Sequence, residues 1–332
     1  MNFGIVGFGR MGQVYKRILE DLGIKIEFIV DVNPEKIDEN YLIFSDYKEA
    51  LESKKIDGLV ISTYGPSHFD IIKYAIKKNI KYIACEKPFT TSVSHANEIT
   101  ELVRSKEIRL SVNYIKRFSS AYKNLMTDLY EEQIIGKPKT VIIISGAGGL
   151  STVGTHYFDL CSFLLKSKVK TIFAISVDKK LTNPRGSEFN EPGGYAMINY
   201  ENDGRVFIDM SDDLGLNPVV EIIGEHGRVR INEIEKTILI TCRTNEDKDK
   251  AKNFYGLPNP IIKNERFELE EVEELTKKMI ENLISDSELI STSELGYQSV
   301  EIYSAIRKAF EEKCIVNFPL EGKYYEMVFS VT

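Results

Sequence analysis

The sequence predicts a doubly wound parallel α/β half followed by an α+β half built on a mainly antiparallel sheet. Three observations carry this. Through about residue 115, short apolar runs alternate with longer segments of helical spacing. Beyond Pro138, strand-like runs follow one another with few helices between them. A glycine-rich turn joins the first apolar run directly to the first helical segment. Strands alternating with amphipathic helices form βαβ units and a parallel sheet covered on both faces. The 332 residues suit about two domains at ~150 residues each, with the division expected at 1–118 and 119–332.

In chain order, Phe3–Val6, Ile26–Val30, Leu59–Ser62, Tyr82–Cys85 and Leu110–Asn113 are strand-length runs. They are almost wholly apolar, as strands buried on both faces are. Met11–Leu22, His68–Lys78 and Ser94–Lys106 are the helices between them. In the second half the expected strands are Thr140–Ser145, Thr171–Val177, Tyr195–Tyr200, Val206–Met210, Val219–Ile223, Val229–Ile231 and Thr237–Cys242. Asn202-Asp203-Gly204 suits a tight hairpin in which Gly takes the positive φ, and Gly224–Gly227 a second reversal. One helix, Thr155–Leu165, interrupts the strands; Glu268–Leu283 and Ser293–Glu312 are the last two. The charged run Asn245–Lys252 reads as an exposed loop.

Charge and composition exclude several classes. With 50 acids against 43 bases, the net charge of −7 offers no basic field for a nucleic acid. No apolar stretch approaches the ~20 residues that span a bilayer, so no membrane partner is expected. Strand-like sequence from Phe3 leaves no room for a cleavable leader. Cys85, Cys161, Cys242 and Cys314 lack CxxC spacing and read as buried reduced thiols, which points to the cytoplasm. No His, Cys and carboxylate cluster has ligand spacing, so no metal is expected.

Gly7-Phe8-Gly9-Arg10-Met11-Gly12 is a GxGxxG between first strand and first helix. Such a turn lets a pyrophosphate approach the backbone and the helix N-terminus, as in a Rossmann dinucleotide site. Asp31 closes the second strand about 20 residues later, where an acid binds the ribose hydroxyls. A carboxylate there repels a 2′-phosphate, so NAD is favoured over NADP, with Arg10 and Lys36 the nearby cations. Gly7, Gly9, Arg10, Met11, Gly12, Asp31 and Val32 are the residues expected against this end of the cofactor. Lys87, in Glu86-Lys87-Pro88 after the fourth strand, lies on the same sheet edge. There a lysine can hydrogen-bond a substrate oxygen and stabilise negative charge.

Together, the glycine turn with Asp31, Thr63 and His68, Glu86-Lys87-Pro88, and Gly154-Thr155-His156-Tyr157-Phe158-Asp159 resemble the Gfo/Idh/MocA family of oxidoreductases. The likeness runs over nearly the whole chain, with Ile135-Gly136-Lys137-Pro138 opening the second half and Val220–Gly227 resembling a family strand turn. It implies an NAD(P)-binding Rossmann domain and an open-faced sheet domain that together oxidise or reduce a ring hydroxyl. The implied substrate is a sugar or sugar nucleotide; inositol dehydrogenation, or a non-catalytic dinucleotide- or sugar-binding regulator, are the alternatives. It also implies a homodimer or homotetramer formed through the second sheet.

Residue by residue, the resemblance assigns Lys87 as catalytic lysine and His156 as acid/base histidine; an imidazole suits that work because it titrates near ~6.5. Read without the family, His156 is equally a helix-start histidine. Thr63, Gly65, His68, Glu86 and Asn113 are expected on the nicotinamide side, with Tyr64-Gly65 departing from the family's Pro-Asn. Asn113, Arg117, Thr152 and Asp159, with Lys87 and His156, are expected at the substrate. Lys116-Arg117 reads either as a phosphate or carboxylate site or as a solvated basic pair. Arg185 is a further candidate. Thr152 stands where many members of the family carry an Asp, and threonine brings no charge to support an imidazolium.

Overall fold

A computed structural model describes residues 1–33, 40–146, 149–177, 191–215, 218–248, 250 and 261–331. Lys36, Arg185 and parts of the 245–252 run lie outside them. The first sheet holds β1 (Asn2–Val6), β2 (Lys25–Val30), β3 (Ile43–Phe44), β4 (Gly58–Ile61), β5 (Tyr82–Cys85) and β6 (Arg109–Val112). Its order is β3-β2-β1-β4-β5-β6 and every pairing is parallel. The helices α1 (Arg10–Asp21), α2 (Tyr47–Ser53), α3 (Gly65–Lys77) and α4 (Val93–Ser105) make the crossovers. Strand order reverses between β1 and β4, which opens a crevice at the carboxyl ends of the strands. β3 and α2 are too short for periodicity to reveal. The physical signal for α2 is its cap: Asp46 Oδ1 accepts from the N–H groups of Lys48 (2.7 Å) and Glu49 (3.1 Å).

The second half contributes α5 (Ser120–Tyr130), β7 (Pro138–Ile144), α6 (Thr155–Leu165), β8 (Val169–Ser176), β9 (Gly194–Tyr200), β10 (Arg205–Asp209), β11 (Val219–Gly224), β12 (Gly227–Asn232), β13 (Thr237–Cys242) and β14 (Ile261–Arg266). It ends in α7 (Val272–Ile284), α8 (Ser293–Glu312), β15 (Val316–Asn317) and α9 (Lys323–Glu326). The nine-stranded sheet runs β14-β13-β12-β11-β7-β10-β9-β8-β15, antiparallel except where β7 meets β10. Sequence patterning finds seven of these strands and misses β14 and the two-residue β15. The β9–β10 turn forms where expected, yet Asp203 rather than Gly204 takes the left-handed backbone (φ 63°). Asn202 Oδ1 accepts from Gly204 N at 3.0 Å and fixes that alternative.

One helix leaves its own half. Leu275, Met279, Ile280 and Leu283 of α7 are buried against Phe3, Ile5, Tyr15 and Ile18, so α7 covers a face of the first sheet. Cys85 and Cys161 are buried, Cys242 and Cys314 partly so, and all four are free thiols. Among the described residues, no helix is long and apolar enough to cross a membrane.

Candidate active site

The crevice beside β1 is a cavity of about 810 Å³ lined by Gly7, Phe8, Gly9, Asp31, Val32, Ser62, Thr63 and Tyr64, with Asp46 and Tyr47 behind them. Gly7 has φ +91°, and a Cβ on it would stand 2.7 Å from the Ser62 carbonyl. A Cβ on Gly12 would meet the Gly7 oxygen at 2.2 Å, so α1 packs this closely only with glycine there. Nothing lies within 4 Å of where a Gly9 Cβ would be, which leaves the loop open on its outer side. No side chain caps α1 and its first turn has no acid, so its leading N–H groups and positive dipole end suit a pyrophosphate. Arg10 and Met11 open that helix beside the cavity.

Asp31 Oδ2 accepts from Phe8 N at 2.6 Å and Oδ1 from Asn33 N at 2.8 Å, tying the second strand's end to the glycine turn. A carboxylate has about four acceptor positions, so two stay available for ribose hydroxyls. Cavity, uncapped helix and acid together fit a dinucleotide. Val32, 81 % exposed, forms its rim.

Lys87 and His156 come from different halves of the chain and converge. Lys87 Nζ donates to the carbonyl oxygen of Thr152 at 3.1 Å. Thr152 sits in a π-helical turn, Gly149–Gly154, that runs straight into α6 and so into His156. Tyr114 packs edge-on to the imidazole at 6.2 Å between ring centroids. The His156 ring is half-buried, and its Nδ1 is buried with no hydrogen-bond partner among the described residues. Burial, then the Lys87 and Lys116 ammonium groups, hold the imidazole pKa well below its usual range. It is therefore neutral at pH 7.

Three residues expected at the cofactor point inward. Glu86, 6 % exposed, accepts from Tyr15 Oη (3.0 Å) and Asn113 Nδ2 (2.7 Å). Asn113 itself is 2 % exposed, and its Oδ1 has no partner among the described residues. His68 is fully buried, its Nδ1 2.9 Å from the Pro88 carbonyl and its Nε2 3.0 Å from that of Thr63. It ties the Thr63–Gly65 loop to the loop carrying Lys87. A Cβ on Gly65 would meet Pro88 Cγ at 2.8 Å.

Both members of the basic pair are largely buried and each is held by a carboxylate of this chain. Lys116 Nζ donates to Glu233 Oε1 (2.5 Å) and Oε2 (2.7 Å), and Tyr122 and Tyr157 donate to the same carboxylate. Burial works to raise the Glu233 carboxyl, but Lys116 and the two hydroxyls overcome it and its pKa falls below the usual value. Arg117 Nε donates to both oxygens of Asp159 at 2.8 Å, with the guanidinium 5.0 Å from the Phe163 ring centroid. These side chains, expected at the substrate, are directed at one another.

Glu191 is the site residue that sequence reading misses. Its Oε1 accepts from the N–H groups of Ser151 (2.8 Å) and Thr152 (2.7 Å) and from the Ser151 hydroxyl. Thr152 Oγ1 donates to both carboxylate oxygens, at 2.9 and 2.8 Å. Position 191 shares no motif or spacing with Thr152, so nothing in the sequence marks the contact.

Residues 1–114 match the oxidoreductase family with an NAD-binding Rossmann fold, and residues 145–318 match the same family's C-terminal alpha/beta domain. The chain is similar to the myo-inositol 2-dehydrogenase of Thermotoga maritima, 22 % identical over 338 residues, covering 94 % of this chain and 97 % of that one. Among solved structures it resembles an Agrobacterium radiobacter oxidoreductase in complex with NAD+, L-tartaric acid and magnesium (TM-score 0.78, 17 % identity, 96 % and 98 % of the two chains). It likewise resembles the WlbA dehydrogenase of Bordetella pertussis in complex with NADH and UDP-GlcNAcA (TM-score 0.74, 19 % identity, 96 % and 99 %). At these identities the structural likeness establishes the fold alone.

Proposed function

The chain belongs to the Gfo/Idh/MocA oxidoreductase family, whose first domain binds NAD, and from that premise we propose that it oxidises or reduces a ring-carbon hydroxyl of a sugar or sugar nucleotide. The observation that carries this is the convergence of Lys87 and His156 through the Thr152 carbonyl. NAD, when bound, supplies the hydride acceptor. The chain's own part is to handle the proton and the charge on oxygen. A neutral imidazole has a lone pair to take a hydroxyl proton, and the His156 environment keeps it neutral. The Lys87 ammonium, held toward the same turn, stabilises negative charge on the oxygen that loses the proton. Glu86, His68 and Asn113 hold the supporting loops, and Arg117–Asp159 fixes α6.

The internal pairing of Lys116 and Arg117 weakens the basic-pair argument for a phosphorylated substrate. The test is NADH absorbance with NAD and a panel of free sugars, inositols, sugar phosphates and sugar nucleotides. Turnover confined to inositols overturns the sugar assignment, and NAD binding with silence across the panel supports a sensor.

Asp31 is the proposed determinant of cofactor choice. Asp31→Ala is expected to weaken NAD about ten- to hundredfold, the scale of hydrogen bonds to a charged acceptor, and to narrow the gap to NADP. Calorimetric titration with both dinucleotides measures it; an unchanged preference assigns the choice elsewhere.

A homo-oligomer is proposed through the outer face of the second sheet. Ile175, Tyr195, Met197 and Phe207 are each 38–43 % exposed on neighbouring strands, with Phe207 directly opposite Met197 and Tyr195 opposite Ile175. An apolar patch on paired strands is what a self-complementary interface uses. Light scattering should give a multimeric mass at micromolar concentration, and Met197→Lys with Phe207→Lys should give a monomer with intact secondary structure. A monomeric parent rejects the assignment.

A further inference from the structure

We infer that Glu191 is a positioning residue for Lys87, acting through Thr152. The inference rests on the reading of Lys87 given above. The Glu191 carboxylate lies at the opening of the helical segment that carries His156, held by two backbone N–H groups and two hydroxyls. Negative charge is favoured there, because the first N–H groups of a helical segment are unpaired and the local dipole is positive. A Cβ on Gly149 would stand 2.5 Å from the Glu191 Cδ, so the turn closes around the carboxyl group with no room to spare.

The consequence runs one bond further. The residue whose N–H and hydroxyl grip the carboxylate is the one whose carbonyl oxygen accepts from Lys87 Nζ at 3.1 Å. With both oxygens of Glu191 on Thr152, the Thr152 side chain and amide are fixed, and the carbonyl that holds Lys87 is aimed by them. Thr152 has no charge of its own. Glu191, arriving from the segment just before β9, brings a carboxylate to that turn and sets where the ammonium sits. Glu191 touches neither substrate nor cofactor in this account; its work is on the lysine's position.

The test reads Lys87 itself. The full-length protein, saturated with NAD, is pulsed with acetic anhydride, and each lysine's acetylation is followed by mass spectrometry in the parent, Glu191→Gln and Glu191→Asp. Gln is isosteric and leaves the π-helical turn filled, while Asp keeps the charge on a shorter arm. Lys25, at the start of β2 and far from the turn, is the internal standard. The expected result is that Lys87 labels about threefold faster or more in Glu191→Gln, the scale of one hydrogen bond, with Lys25 unchanged and Glu191→Asp between. Equal Lys87 rates in parent and Glu191→Gln overturn the inference. So does a rise shared by Lys25, which is general loosening. If Glu191→Gln does not fold, a parent-like Lys87 rate in Glu191→Asp overturns it, and a Lys87 rate above the parent's with Lys25 unchanged supports it. Turnover assays of these proteins and of Lys87→Met keep the two readings apart. Faster Lys87 labelling alongside parent-like turnover in Lys87→Met would sustain the positioning role and reject Lys87 as catalytic.

Discussion

Lys87→Met should lower kcat about a thousandfold or more, the combined scale of a lost proton-handling partner and a lost charge stabiliser. NAD affinity should stay within about twofold of the parent, as for substitutions outside a binding surface. Lys87 is not among the residues lining the cavity that holds the glycine turn and Asp31, so the variant removes the charge at the reacting end and leaves the dinucleotide's polar contacts alone. Methionine keeps most of the side chain's length and volume. A second signature separates this from misfolding. Lys87 is one of the groups that depress the His156 pKa, after burial itself. Without its ammonium the imidazole rises, so the acid limb of residual oxidation should move to higher pH, since the base must be neutral to accept a proton. His156→Ala should cost a comparable factor, and the double variant little more than either single one, as for groups acting together. Initial rates from pH 5 to 9 with the substrate found in the panel measure all of this. Parent-like kcat in Lys87→Met ends the mechanism.

The parallel half was legible because its physics is local. Gly4-Ile5-Val6 and Leu59-Val60-Ile61 are apolar because both faces of those strands are covered, Gly7 and Gly12 mark a backbone that no side chain would fit, and Gly9 leaves the outer side of the turn open. The antiparallel half was legible from strand runs and turns, though which residue took the left-handed φ at 202–204 depended on one Asn side chain. What escaped was pairing at long range. Lys116 meets Glu233 117 positions away, and Arg117 meets Asp159 42 positions away; a cation in sequence looks the same whether its anion is a ligand or a neighbour. Glu191 on Thr152 is the same case, and α7 on the first sheet its apolar counterpart: the helix shows an apolar face, but not which sheet it covers. The candidate site was thus visible as the two side chains proposed to react, while the contacts around them were not.

Arg117→Met should cost about 3–5 kcal/mol of stability at pH 8, the range for removing one partner of a buried pair, and far less at pH 5. The Asp159 side chain is 1 % exposed and its partner 11 %. Burial pushes the Asp159 carboxyl up to about 6, with the Arg117 charge and hydrogen bonds pulling the other way. The same carboxyl titrates near ~3.9 in an unfolded chain. Its folded pKa is therefore the higher one. The protonated form's contribution is full below about 4 and is lost as pH rises through about 6, the direction linkage requires when the native state binds the proton more tightly. In the parent, the guanidinium limits that loss. In Arg117→Met the opposing charge is gone, the carboxyl rises further, and stability keeps falling over a wider span toward pH 8. Methionine retains aliphatic contact with Phe163, so the loss should be electrostatic and pH-dependent. Urea denaturation at pH 5 and pH 8 gives the two midpoints. Adding Asp159→Asn removes the stranded charge and should recover most of the pH 8 deficit. A deficit equal at both pH values, and untouched by Asp159→Asn, would place the cost in packing and leave the pair without the electrostatic role argued for it.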